Sequence, residues 1–175
     1  MGYQNHQEQA HQAMPPTLRC GVLTMSDTRT MEQDSSGHTI QTALHQNGHH
    51  VVRYELIPDD PVQIAEQVHR YIEAGCQVII TNGGTGIAQR DTTIDVIEQL
   101  LEKRLPGFGE LFRMLSYVEI GAGAMLSRAT AGVYQGVLIF CLPGSSGAVR
   151  LALEKLILPE LTHLVWETVR SEGTG

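Results

Sequence analysis

Four short apolar runs, each followed by a loop of small, polar or acidic residues and then by a helix-like stretch, constrain this chain more than any other feature. They are Arg19–Met25 (RCGVLTM), Val51–Ile57, Val78–Thr81 and Gly136–Leu142 (GVLIFCL). Runs this short and apolar suit strands covered on both faces, and parallel strands of that kind are joined through helices. The helical stretches carry end signals. Ser35 or Ser36 is a candidate cap for a first helix ending at Gly48. Asp60 followed by Pro61 places a cap and a first-turn proline ahead of a helix with Val62, Ala65, Val68 and Ile72 on one face, ended by Gly75. Further helices are predicted from Asp91 to Leu101, from Pro106 to about Tyr117, and from Ser145 or Ser146 onward, where Pro159 is placed to kink or restart the last one. Phe112, Met114 and Leu115 read as core. This order predicts an α/β fold with three layers, α/β/α, around a mostly parallel central sheet.

The 175 residues fit one domain, placed at 18–170, and can bury a core without disulfides or a structural metal. Residues 1–17, polar and ending in Pro15-Pro16, are expected to form a disordered tail, and 171–175 a flexible C-terminus. Twelve basic residues against nineteen acidic ones, a net charge of −7, argue against a nucleic-acid partner, which would need clustered Lys and Arg. A small charged substrate is compatible with it, because a local site can oppose the global charge. The N-terminus lacks the apolar segment of a signal peptide, and no run approaches the ~20 residues that span a bilayer. No membrane association and a cytoplasmic location are expected. Cys20, Cys76 and Cys141 cannot all pair and form no C-x-x-C, so they read as buried reduced thiols. The eight histidines are scattered. His49 and His50 would point apart on a strand, and Gly48 separates His45 from His49, so no histidine metal site is expected.

In an open parallel sheet, ligands bind beyond the carboxyl ends of the strands, which directs attention to four loops. They are Ser26-Asp27, Pro58-Asp59-Asp60, Thr81–Gly86 (TNGGTG) with Arg90-Asp91, and Pro143–Gly147 (PGSSG). Glycines at Gly83, Gly84 and Gly86 would let backbone N–H groups approach a phosphate, and a plain strand-to-helix turn has the same composition. The loop is neither a Walker A motif nor G-x-G-x-x-G. Asp59 and Asp91 suit Mg²⁺, which takes one or two carboxylates with substrate phosphates, although Asp91 by itself reads first as a helix cap. Asp59 is less needed as a cap, since Asp60 already precedes Pro61. No Gly-x-Ser-x-Gly elbow supports an activated serine.

Taken in order, LTMSD (23–27), DSSG (34–37), IPDD (57–60), TNGGTG (81–86) with RDTT (90–93), LPGFGELFR (105–113), LSRATAG (126–132) and LPGSSG (142–147) resemble the MoaB/Mog family of molybdenum cofactor biosynthesis proteins over residues 18–168. Ile94 and Ser146 stand where the Mog-like pattern has proline, and the Gly121–Ala124 and Gly147–Arg150 segments look MoaB-like, which places the resemblance in the MoaB branch. The resemblance implies Mg-ATP-dependent adenylylation of molybdopterin with release of pyrophosphate, with ATP and molybdopterin as substrates. A molybdopterin-binding accessory protein without turnover is the alternative it leaves open. It further implies catalytic and metal roles for Asp59 and Asp91. Nucleotide and pterin contacts are implied for Ser26, Asp27, Gly83, Gly84, Thr85, Gly86, Ser127, Arg128, Gly144 and Ser145. Homo-oligomers, trimers or hexamers, are implied too, as are other molybdenum cofactor biosynthesis proteins as partners; the Leu105–Met125 region, which sits outside the simple βα alternation, is the candidate interface.

Overall fold

The computed structural model describes residues 3–170. A six-stranded sheet runs in the order β2-β1-β3-β6-β5-β4. Strands β1 (Arg19–Met25), β2 (His50–Ile57), β3 (Val78–Asn82) and β6 (Val137–Leu142) are parallel; β5 (Thr130–Tyr134) runs against them, and the two-residue edge strand β4 (Lys103–Arg104) pairs antiparallel with β5. Side chains alternate across the sheet, as the period of two requires. Val22, Ile80 and Phe140 enter a core beneath α2 (Ser35–Gln46), α5 (Pro106–Ile120), α6 (Ser146–Ala152) and α7 (Leu158–Val169). Leu23, Ile79 and Ile139 enter the other, with Ile64, Val68 and Tyr71 of α3 (Pro61–Glu73) and Ile94 and Ile97 of α4 (Thr93–Leu100). This is the three-layer fold the strand runs predict. All three cysteines are free and buried, and burial pushes the Cys20 and Cys141 thiols up to about 12.

Several local expectations need correction. The N-terminal tail, read as disordered, instead carries helix α1 (Tyr3–Ala13), which packs on α7 with Ala10 fully buried. The chain end at 171–175 lies outside the described residues. The cap of α2 is Asp34, not a serine: its Oδ1 accepts from the Gly37 N–H at 3.0 Å and its Oδ2 from the Tyr54 hydroxyl at 2.8 Å. Asp91 does not begin α4, which starts at Thr93. Strand β5 is absent from the sequence reading because its residues run into β6 through a two-residue turn. Gln135 (φ 48°) and Gly136 (φ 76°) both take positive φ, the conformation of a tight hairpin between antiparallel strands. Met114 is exposed, whereas Phe112 is buried. Pro159 does mark a break: a wide turn over Leu153–Ile157 precedes it before the helix resumes as α7, which accommodates the ring and the missing N–H.

Candidate functional site

The loops after β1, β2, β3 and β6 meet in a cleft of about 320 Å³ beyond the carboxyl ends of the parallel strands. Met25, Ser26, Asp27, Thr28, Arg29, Asp59, Gly83, Gly84, Thr85, Gly86, Arg90, Asp91 and Gly144 line it. Strand ends of one parallel sheet face the same way, so four separate sequence segments deliver their polar residues to one rim.

Each loop is shaped by its own side chains and tied to the next. The Ser26 hydroxyl accepts from the Arg29 N–H at 3.2 Å, turning the chain after β1. Asp27 Oδ1 accepts from the Asp59 N–H at 3.1 Å, joining the β1 and β2 loops. The Asp59 carboxylate joins the β2 loop to the start of α4: Oδ1 accepts from the Thr92 hydroxyl at 2.7 Å and the Thr93 hydroxyl at 3.2 Å, and Oδ2 from the Thr92 N–H at 3.2 Å. Asp91 Oδ2 accepts from the Ala88 N–H at 3.0 Å, closing the loop around Gly86. Gly144 seats against Gly83, and its carbonyl accepts from the Ser36 hydroxyl at 2.9 Å.

The glycines at the centre have no room for side chains. Gly83 runs at φ +93°, and a Cβ there would lie 2.2 Å from the Met25 carbonyl oxygen. Gly84 runs at φ +61°, and a Cβ would lie 2.1 Å from both Asp59 Oδ2 and Thr93 Oγ1. Positive φ and such close approach together exclude other residues, leaving the backbone bare to the cleft.

Nine of the twelve residues selected from sequence lie on this cleft: Ser26, Asp27, Asp59, Gly83, Gly84, Thr85, Gly86, Asp91 and Gly144. Three do not. Arg128 braces the glycine loop from behind, donating from Nη1 to the Gly86 carbonyl at 2.9 Å and from Nη2 to Asp95. Ser127 and Ser145 border a second cavity with Ser116, Glu119, Ile120 and Leu126, and the Ser145 hydroxyl caps α6 by accepting from the Ala148 N–H. Met25, Thr28, Arg29 and Arg90 line the cleft without having been selected. Arg29 and Arg90 lie within the same post-strand loops, so the loop rule that selected Asp27 and Asp91 extends to them.

The donor set bears on what could bind. Three carboxylates offer hard oxygen ligands, and two arginines offer charge to anions. Among the described residues, Asp27, Asp59 and Asp91 do not converge within 4.8 Å of one another, so they form no ready-made three-carboxylate cage. A magnesium ion here would be held by one or two of these carboxylates and completed by phosphate oxygens and water.

Known proteins resemble this chain in sequence and in fold. The family model described as a probable molybdopterin binding domain matches residues 21–163. The molybdenum cofactor biosynthesis protein B of Bacillus subtilis is 50% identical over 173 residues, covering 95% of this chain and 97% of its own. A crystal structure of a molybdenum cofactor biosynthesis protein B superposes with a TM-score of 0.86 at 50% identity, covering 90% of this chain and 100% of the other. The tungsten cofactor synthesizing protein MoaB of Pyrococcus furiosus gives 0.82 at 39% identity, with the same coverages. Among the described residues, no helix is long and apolar enough to cross a membrane. With a domain match across most of the chain, half its residues shared with MoaB relatives and the same fold, this chain belongs to the MoaB branch of the MoaB/Mog family of molybdenum cofactor biosynthesis proteins.

Proposed function

We propose that this protein transfers AMP from Mg-ATP to molybdopterin, giving molybdopterin-AMP and pyrophosphate. The observation that carries the reading is the convergence of the bare Gly83–Gly86 backbone with Asp59, Asp91, Arg29 and Arg90 in one cleft. In this reaction an oxygen of the pterin's terminal phosphate bonds to the α-phosphorus of ATP, and the bond to pyrophosphate breaks. Both reactants are anions, so the work is to bring them together and to balance the charge that builds up. Backbone N–H groups of the glycine loop and the two guanidiniums supply that balance from the protein. Asp59 and Asp91 would hold magnesium, which lends Lewis-acid neutralisation of the phosphate oxygens. No general base is needed, because a phosphate is already ionised at neutral pH. The second cavity, bordered by Ser127 and Ser145, opens beside the Pro143–Gly147 loop that also supplies Gly144 to the cleft, and is the pterin side of the proposed site. Trimeric or hexameric self-assembly, and contacts with other proteins of the pathway, are part of the same proposal.

The test is AMP transfer from labelled ATP to purified molybdopterin with Mg²⁺, wild type beside Asp59→Asn and Asp91→Asn. Turnover by wild type, reduced by at least about a hundredfold in both variants, is the expected outcome. Pterin binding without turnover would replace the enzyme with an accessory binding protein.

A further inference from the structure

Histidines from opposite ends of the chain meet where α1 packs on α7. One ring nitrogen of His6, one of His163 and a carboxylate oxygen of Glu167 lie within 4.8 Å of one another. His6 Nδ1 is 3.9 Å and His163 Nε2 is 3.5 Å from the same oxygen, Glu167 Oε1. Zinc bound tetrahedrally at about 2.0–2.1 Å keeps its ligand atoms about 3.3 Å apart, so small side-chain shifts complete the set.

The surroundings match those of a metal-binding histidine. The second nitrogen of His163, Nδ1, sits 3.1 Å from Glu160 Oε2. A carboxylate behind the ring fixes the tautomer and aims the opposite nitrogen at a metal. Glu160 is itself held, since its Oε1 accepts from Gln7 Nε2 at 2.7 Å, one residue from His6 on the same helix. Arg170 Nε occupies the other oxygen of Glu167, Oε2, at 2.8 Å, which leaves Oε1 turned to the histidines. The Trp166 ring flanks both imidazoles, and the His163 side chain is only 13% exposed. None of these residues lines the cleft.

We propose that His6, His163 and Glu167 form a site for a divalent transition-metal ion, best suited to zinc, that clips the N-terminal helix to the last helix. Two imidazoles and one carboxylate suit zinc, with water as the fourth ligand, and do not suit magnesium or calcium, which take oxygen donors. Sequence spacing could not reveal this site, because only His163 and Glu167 share a helix face and the third ligand arrives through tertiary packing.

The experiment uses the full chain, free of any affinity tag and stripped of metal by chelator, titrated with Zn²⁺ by calorimetry and with Co²⁺ by visible absorption. One equivalent of metal per chain is expected, with the intense visible bands of tetrahedral Co²⁺ and a raised Tm in Zn²⁺. His6→Ala and Glu167→Gln should each weaken binding by at least about tenfold, and Glu160→Gln by a smaller factor. His11→Ala, on the exposed side of α1, should bind as wild type does. His6 is half-buried at the periphery, and circular dichroism of His6→Ala checks that the fold is kept. Absence of binding by wild type would reduce the cluster to an ion-pair clasp, and binding that survives His6→Ala would place the metal on other histidines. Either result overturns the proposal.

Discussion

At Gly84 the strain and the chemistry of the cleft share one residue. An alanine there meets positive φ, worth about 1–3 kcal/mol for a non-glycine, and pushes on the Asp59 carboxylate and the Thr93 hydroxyl that hold the loop. Gly84→Ala is expected to lower Tm and to reduce AMP transfer by at least about tenfold, read by thermal unfolding beside the transfer assay. The two carboxylates assigned to magnesium separate by the same reasoning. The Asp59 carboxylate accepts from two hydroxyls and a backbone N–H, whereas the Asp91 carboxylate accepts from the exposed Ala88 N–H. Asp59→Asn should therefore lose about 1–2 kcal/mol of stability along with activity, and Asp91→Asn activity with little stability. Denaturant unfolding of both variants checks this, and equal stability losses would show that Asp91 also braces the fold. The role expected of Asp59 comes from the family resemblance; the residues themselves show only that Asp60 already serves as the cap of α3, and the structure shows why Asp59 is spare there: it reaches across to the start of α4 instead.

Elements differ in how far their own residues announce them. Asp60-Pro61 gives the start of α3 because a cap needs only the residues beside it. The cap of α2 was missed because Asp34 is followed by two serines that are equally able to cap, and its choice depends on Tyr54, a strand residue twenty positions away, whose hydroxyl takes the second oxygen. Asp34→Ala should cost about 2–3 kcal/mol and Tyr54→Phe about 1, with the double variant losing less than the sum, as denaturant unfolding can measure. The hairpin of β5 and β6 was missed for a related reason: Gln135-Gly136 carries little turn signal, and pairing across it, not composition, divides the apolar run. Helix α1 is polar in sequence and packs against α7, at the far end of the chain. A last case joins the end of α2 to the start of β1. His49 is buried, its Nδ1 accepts from the Leu18 N–H at 3.4 Å, and burial lowers its pKa below the ordinary 6.5. The unfolded chain then binds the proton more readily than the folded one. The stability contributed is present above about pH 6.5 and is lost as pH falls through the lowered folded value. Unfolding free energy measured between about pH 7.5 and 5 should fall more in wild type than in His49→Asn, whose amide oxygen can accept the same N–H without taking up a proton.

For the molecule as a whole, the four post-strand loops and the parallel core were legible because strand polarity alone sends their ends to one rim, while the proposed self-assembly would depend on surfaces whose partner no single chain contains. Among the described residues, the α5 face and the turn after it carry seven of the exposed large apolar side chains. Leu111, Met114 and Val118 follow helical spacing, Tyr117, Ile120, Met125 and Leu126 continue the patch, and Val118 is 80% exposed. Exposed apolar side chains concentrated on one element in this way are where the proposed self-assembly would bury surface. Ile120 and Leu126 belong both to this patch and to the wall of the cavity that Ser127 and Ser145 border, so a neighbouring chain docked here would also close that cavity. The proposed association and pterin binding would then be linked, because burying the shared wall favours both. Light scattering should give three or six times the 19.2 kDa of one chain. Leu111→Glu with Val118→Glu should shift the mass to a single chain while circular dichroism is unchanged, since both side chains are exposed in the lone subunit. In that variant pterin affinity should fall by at least about tenfold, as expected for a cavity left open to water, and ATP affinity should hold, because Gly83–Gly86, Asp59 and Asp91 lie on the other cleft. A wild type that scatters as one chain, or a dissociated variant that binds pterin as tightly as before, would separate the apolar face from the site and leave each cleft complete within one subunit.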